Sequence, residues 1–185
     1  MGLFDFFKSN SSPKAVLEKM PFVFPYAEEE ETRRAQIWDN LLKGILFEDT
    51  QLFIPWNTSY EVIDTLAEQK RESGDRTNWF LGKHSILHGY PCYVGVMKWL
   101  YIKPSEPFKK IEEYLGTDAE GYERFQQLRQ HLTNVLGTPD TADLEQSVNM
   151  ELGTISWTRS NVMVALTGIE QFDYKYRLFV GLNEW

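Results

Sequence analysis

The sequence has one cysteine, Cys92, three histidines and no long apolar run. A lone cysteine excludes an intramolecular disulfide and fits a reducing compartment. The strongest apolar stretch, Val162-Met163-Val164-Ala165-Leu166, is far short of the ~20 residues that a membrane-crossing helix requires. The N-terminus has no basic start followed by a long apolar core, so a signal peptide is not expected and a cytoplasmic protein is. Catalytic and cofactor signatures are missing as well. There is no G-x-G-x-x-G, no P-loop, no G-x-S-x-G and no H-E-x-x-H. Asp and Glu are plentiful, but no pair stands in an acid/base frame, and no cofactor is expected. Basic charge is scarce: 19 Lys and Arg against 27 Asp and Glu give a net charge of −8. Such a surface repels phosphates and favours encounter with a basic partner, so a protein partner is expected and a nucleic acid is not.

Length and aromatic side chains are what the chain does have. Its 185 residues suit one domain, able to bury roughly 70% of its unfolded surface without a metal or disulfide staple. Aromatics make up 15% of the residues, six of them tryptophans, and aromatics favour half-buried strands. The division expected is a flexible apolar tip and linker over residues 1–13 and a single α+β domain over 14–185. Within the tip, Leu3, Phe4, Phe6 and Phe7 suit either a weak membrane or partner anchor over residues 1–8 or a plain terminal tip. Phe6 puts Gly2 outside a good myristoylation context.

Pro21 and Pro25 bracket a short edge strand or extended arm, Phe22-Val-Phe24. From Glu28 the spacing turns helical through Ile37, Trp38, Leu41, Leu42, Ile45 and Leu46. Residues 52–56 read as a strand and Tyr60 to Ala67 as a helix, with a polar segment, Gln69 to Asp75, after it. Thr77–Leu81, Ser85–Leu87 and Cys92–Ile102 read as strands punctuated by Gly82, Gly89 and Pro91. Phe108 to Leu115 reads as a short helix stopped by Gly116. Residues 120–136 carry the clearest helical pattern, closed by Gly137 and Pro139. An acidic loop, Asp140 to Glu151, precedes a three-stranded meander: Thr154–Trp157, Val162–Leu166 and Tyr174–Leu182. The fold expected is therefore α+β: an antiparallel sheet of about six strands with helices packed on one face. The halves are organised alike, which suggests two helix-then-three-strand units, although α+β domains commonly alternate helices with hairpins.

Two constellations stand out. His84-x3-His88-x3-Cys92 carries zinc-ligand types at a spacing that a helix would stack on one face. Gly82, Gly89 and Pro91 argue against a helix there. On one strand the ligands would sit about 13 Å apart, too far for one ion. A Cys–His nucleophile pair of Cys92 with His84, His88 or His131 is formally available, but Cys92 opens an apolar strand. The second constellation is aromatic. Trp79, Trp99, Trp157 and Trp185, with Tyr93, Tyr101, Tyr174 and Tyr176, fall on strands or the strand-like tail. They are either core or an exposed binding surface rimmed by carboxylates such as Glu170 and Asp173.

The run Phe53-Ile-Pro-Trp-Asn-Thr-Ser-Tyr-Glu-Val-Ile63 looks like the strand-into-helix opening of many small bacterial proteins. The later long helix, Gly137-x-Pro139 and tryptophan-bearing strand extend the resemblance over residues 50–185. Among such proteins are the immunity proteins of contact-dependent and polymorphic toxin systems. The resemblance implies an acidic, non-enzymatic protein that covers a toxin's active face, and it carries over no site residues. The expected function is thus a protein-binding module, immunity- or antitoxin-like, using Trp79, Trp99, Tyr101, Trp157, Tyr174 and Tyr176 with Glu170 and Asp173. The alternatives are a metal or Cys/His enzyme centred on His84, His88 and Cys92, and a structural subunit tethered by residues 1–8.

Overall fold

The computed structural model describes residues 21–147, 150–171 and 173–183. The apolar tip and linker expected over 1–13, and Trp185, lie outside the described residues. The chain is α+β. Helix α1 (Glu30–Leu41) leads into a two-stranded antiparallel ribbon, β1 (Gly44–Phe47) and β2 (Leu52–Pro55). Helix α2 (Tyr60–Leu66) then feeds β3 (Gln69–Ser73), β4 (Arg76–Ile86), β5 (Tyr90–Trp99) and β6 (Lys110–Thr117). Helix α3 (Asp118–Leu136) feeds β7 (Thr141–Ser147), β8 (Met150–Arg159), β9 (Val162–Gln171) and β10 (Asp173–Leu182). All eight later strands form one antiparallel sheet in the order β3-β4-β5-β6-β10-β9-β8-β7. Two runs of a helix followed by four strands therefore meet where β6 pairs with β10.

Several expectations need correction. The large sheet has eight strands, not about six, and β1–β2 adds a ribbon. The segment expected as a short helix before Gly116 is mostly strand β6. Its buried residues alternate (Ile111, Glu113, Leu115), a period of two that the helix reading overlooked. The first helix stops at Leu41, and Ile45 and Leu46 belong to β1, where all four residues are buried. The polar segment after Leu66 is edge strand β3, exposed throughout and paired along its whole length with β4. The acidic loop after Pro139 is edge strand β7 and the start of β8. The two short strands before His88 are one strand, β4, kinked by a bulge where Gly82 takes φ +98°.

The core lies between the helices and one face of the sheet. Glu29 caps α1, its carboxylate accepting from the amides of Glu31 and Thr32. Phe125 of α3 packs on Tyr176 of β10, with ring centroids 5.2 Å apart. Tryptophan indoles tie the layers together by donating to main-chain carbonyls. Trp56 donates to Leu41 at 2.6 Å and Trp157 donates to Gly137 at 2.7 Å. Trp79 donates to the Asp64 carboxylate of α2 at 2.6 Å. Among the described residues no helix is long and apolar enough to cross a membrane.

Candidate functional site

The joint between β5 and β6 is the sheet's weakest: its ladder holds one residue pair, Gly95 with Glu112. On either side of that pair the strands separate, and different groups fill the two openings. At one end stands Glu113, whose side chain is fully buried. Its carboxylate accepts from the Tyr93 amide at 3.1 Å, the Tyr90 hydroxyl at 3.0 Å and the Arg124 guanidinium at 2.9 Å. The carboxylate thus replaces the ladder acceptor that Tyr93 lacks, and Arg124 balances its charge. Burial, with Glu113 beside it, pushes the Tyr90 hydroxyl well above its ordinary range.

At the other end a cavity of about 490 Å³ opens, walled by Tyr60, Met97, Trp99, Tyr101 and Ile102. Its rim is a turn fixed from three directions. The buried ammonium of Lys98 donates to the carbonyls of Ile102 at 2.8 Å and Trp99 at 3.3 Å. The Ile102 amide donates to the Trp99 carbonyl, and the Leu100 amide to the Asp75 carbonyl. The following loop is pinned to the start of α2, where the Tyr60 and Glu61 amides donate to the carbonyls of Glu106 and Pro104. Those carbonyls satisfy helix N–H groups that Ser59 leaves uncapped. Trp99 and Tyr101 stand nearly parallel, with centroids 6.4 Å apart, and Tyr101 is 80% exposed.

The sheet face away from the helices carries the exposed aromatics. Strand alternation puts Cys92, Val94, Val96 and Lys98 of β5 inward, and Tyr93, Met97 and Trp99 outward. Apart from Val23, the exposed large apolar side chains of the described residues all lie on this outer face or its rim: Phe80, Tyr93, Leu100, Tyr101, Tyr114 and Ile169. So do Arg71, Arg76, Lys83, Lys110, Lys175 and Arg177. Cations sit against rings here, Lys83 over Tyr93 at 5.5 Å and Arg76 over Trp99 at 5.1 Å. The exposed strip covers β4, β5, β6 and the near part of β10. Beyond Phe179 the same face is closed across β8 and the first part of β9, with Ser156 and Ala165 buried, and Ile169 is exposed at the far end of β9.

The structure divides the residues singled out in the sequence. Trp79, Trp157 and Tyr176 are buried on the helix side and are core. Trp99 and Tyr101 come together at the cavity, and Tyr174 is half-buried on the helix side. Glu170 and Asp173 are exposed at the β9–β10 turn, at the opposite end of the β6–β10 pair from that cavity. His84 and Cys92 face each other across β4 and β5 without bonding. Both His84 ring nitrogens are engaged elsewhere, with Asp49 at 3.1 Å and the Leu81 carbonyl at 2.9 Å, and the ring stacks on Phe47. His88 is in the exposed hairpin turn, its pKa lowered by partial burial and by nearby Arg33. His131 bonds to the Leu87 carbonyl at 2.8 Å. Cys92 is fully buried, and burial beside Glu113 pushes its thiol well up, the opposite of a nucleophile's environment. Among the described residues no group of three or more His, Cys, Asp or Glu is arranged to hold a metal.

Sequence reasoning missed Tyr114 and the whole cation set, because Tyr114 lay in the segment read as a helix. Alternation over residues 110–117 was the signal that would have found it. Comparison with protein-family models, curated proteins and solved structures found no match.

Proposed function

We propose that the protein is a non-enzymatic binding module that holds one protein partner on the exposed strip of its large sheet. The observation that carries this reading is the gathering of Phe80, Tyr93, Tyr114 and Tyr101 on one face and its rim next to the Trp99 cavity. Exposed apolar patches of this kind mark interaction sites, and Tyr and Trp are the side chains that anchor them. Substituting both Tyr93→Glu and Tyr114→Glu tests it. The expected result is an unchanged melting temperature and loss of a partner identified by mass spectrometry with the wild-type chain. Retention of that partner by the double variant sinks the reading.

A second reading has its own support. Each helix opens on acids, with Glu30, Glu31, Glu61, Asp118 and Glu120 in first helical turns. This charge favours an immunity- or antitoxin-like role in which a basic toxin docks on the helices. Charge reversal at Glu123 and Glu120 would then abolish binding, while the tyrosine variant would keep it.

A further inference from the structure

Lys83, Tyr93, Tyr114 and Arg177 form a single row across four strands. Lys83 pairs with Tyr93 between β4 and β5, and Tyr114 pairs with Arg177 between β6 and β10. The Gly95–Glu112 register brings Tyr93 and Tyr114 to adjoining positions across the joint. Cations stand at both ends, and neither Lys83 nor Arg177 has an ion pair among the described residues. The tyrosines between them are 61% and 51% exposed. The two paired steps contribute about 4.8 Å each and the open β5–β6 joint at least as much, so the two positions lie about 14 Å apart or somewhat more, and Lys83 shortens the span between the cations by leaning over the Tyr93 ring.

We infer that this row binds an extended acidic segment of a partner protein, with carboxylates at positions i and i+4 and an apolar or aromatic side chain at i+2. The inference rests on the sheet-face reading above and adds the chemistry of the partner. An extended chain rises about 3.3 Å per residue, so carboxylates four residues apart lie about 13 Å apart and point the same way. That matches the separation of Lys83 and Arg177. The i+2 side chain points down as well and meets the paired tyrosines. Carboxylates five or three residues apart point to opposite sides and engage one cation only. The sign of the site is set locally. Arg71, Arg76, Lys110 and Lys175 share the face, Arg76 beside Asp75, while the acids on its strands are Glu112 in the next row, Asp173 at the β9–β10 end, and Asp143 and Glu145 on the far edge strand. Nucleic acid is a poorer match, because a long polyanion would run beyond the strip into a chain of net charge −8.

The test is fluorescence anisotropy on the full chain with three labelled heptapeptides. The first is Ser-Glu-Gly-Trp-Gly-Glu-Ser, the second moves the latter glutamate one position nearer, and the third has glutamine for both glutamates. The expected order is that the first binds at least tenfold more tightly than the other two. Lys83→Glu and Arg177→Glu each weaken it at least tenfold, Gln130→Glu on the opposite side does not, and raising salt from 50 to 300 mM weakens it several-fold. Equal binding of the first two peptides overturns the proposal, as does indifference to both charge reversals. Tighter binding of an oligodeoxythymidine, or of a free peptide of residues 1–13, overturns it in favour of those occupants. Sedimentation showing a dimer broken by Lys83→Glu assigns the row to a second copy. If the tyrosine double variant loses its protein partner but these peptides do not bind, the sheet-face reading stands and only the i, i+4 chemistry falls.

Discussion

Replacing Glu113 by leucine removes the group that holds the β5–β6 joint together. Three donors lose their acceptor: the Tyr93 amide, the Tyr90 hydroxyl and the Arg124 guanidinium. A buried amide left unsatisfied costs about 1–3 kcal/mol, and the neutral Tyr90 bond contributes about 1 kcal/mol. Arg124 is 34% exposed, so its charge can turn to water, and the ion-pair contribution is discounted to about 1 kcal/mol. Burying leucine in place of the carboxylate recovers some apolar contact. The net loss expected is about 3 kcal/mol, the lower edge of what breaking a buried ion pair costs. For a chain of this size that lowers the melting temperature by about 10 °C. Urea unfolding followed by circular dichroism measures the first quantity and a thermal scan the second. Glu113→Gln keeps one carbonyl acceptor and should lose about half as much, and Tyr90→Phe should lose about 1 kcal/mol. A loss below 1 kcal/mol for Glu113→Leu would refute the argument that this carboxylate substitutes for the missing ladder. Hydrogen exchange at Tyr93 reads the same loss locally: its amide should become fast in Glu113→Leu while that of Val164 stays slow.

Cys92 should resist a thiol reagent such as dithionitrobenzoate in the native protein and react fully in denaturant, because the thiol is buried and held protonated; prompt native labelling would contradict its placement. Gly153→Ala should cost roughly 2 kcal/mol or more in urea unfolding, since φ is +124° there and a Cβ would run into the Asp143 carbonyl. The Trp79 indole, and then Lys70, hold the Asp64 carboxyl below its usual range. A carboxyl whose folded pKa is depressed adds stability above its unfolded pKa of about 3.9 and loses it as pH falls through the lower folded value. The stability gap between the wild type and Asp64→Asn should therefore be present at pH 7 and shrink in acid titration below about pH 4. A gap that widens in acid would reverse the argument.

The sequence made helix α3 and the last three strands legible because their patterns were long and clean. Tyr122, Phe125, Leu128 and Leu132 repeat at helical spacing, and Tyr176, Leu178 and Val180 alternate. Strands β3, β6 and β7 were missed for a shared physical reason. Edge strand β3 is exposed throughout and β7 turns only Leu144 among its described side chains towards the core, so neither sequence carries a buried period. In β6 the inward set includes Glu113, and a charged residue at a core position breaks the apolar pattern that marks a strand. The charge of the candidate surface was hidden for a related reason. Net charge averages over the chain, whereas alternation sorts Lys83, Lys110, Lys175 and Arg177 onto one face. Trp99 and Tyr101 were singled out together with Trp79, Trp157 and Tyr176, because residue type alone does not separate the two at the cavity from the three that are core. The His84–His88–Cys92 spacing also reads differently once β4 and β5 are a hairpin: His84 is bonded to Asp49 and the Leu81 carbonyl, His88 stands exposed in the turn and Cys92 is buried.

Docking of a protein partner on the strip formed by β4, β5, β6 and the near part of β10 is the proposal on which the rest depends. Photo-crosslinking tests it most directly, with a benzophenone side chain placed in turn at Tyr93 on the strip and at Gln130 on the outside of α3. One discrete protein adduct is expected from position 93, competed by unmodified chain, and none from position 130. An adduct from position 130 with none from position 93 would contradict it.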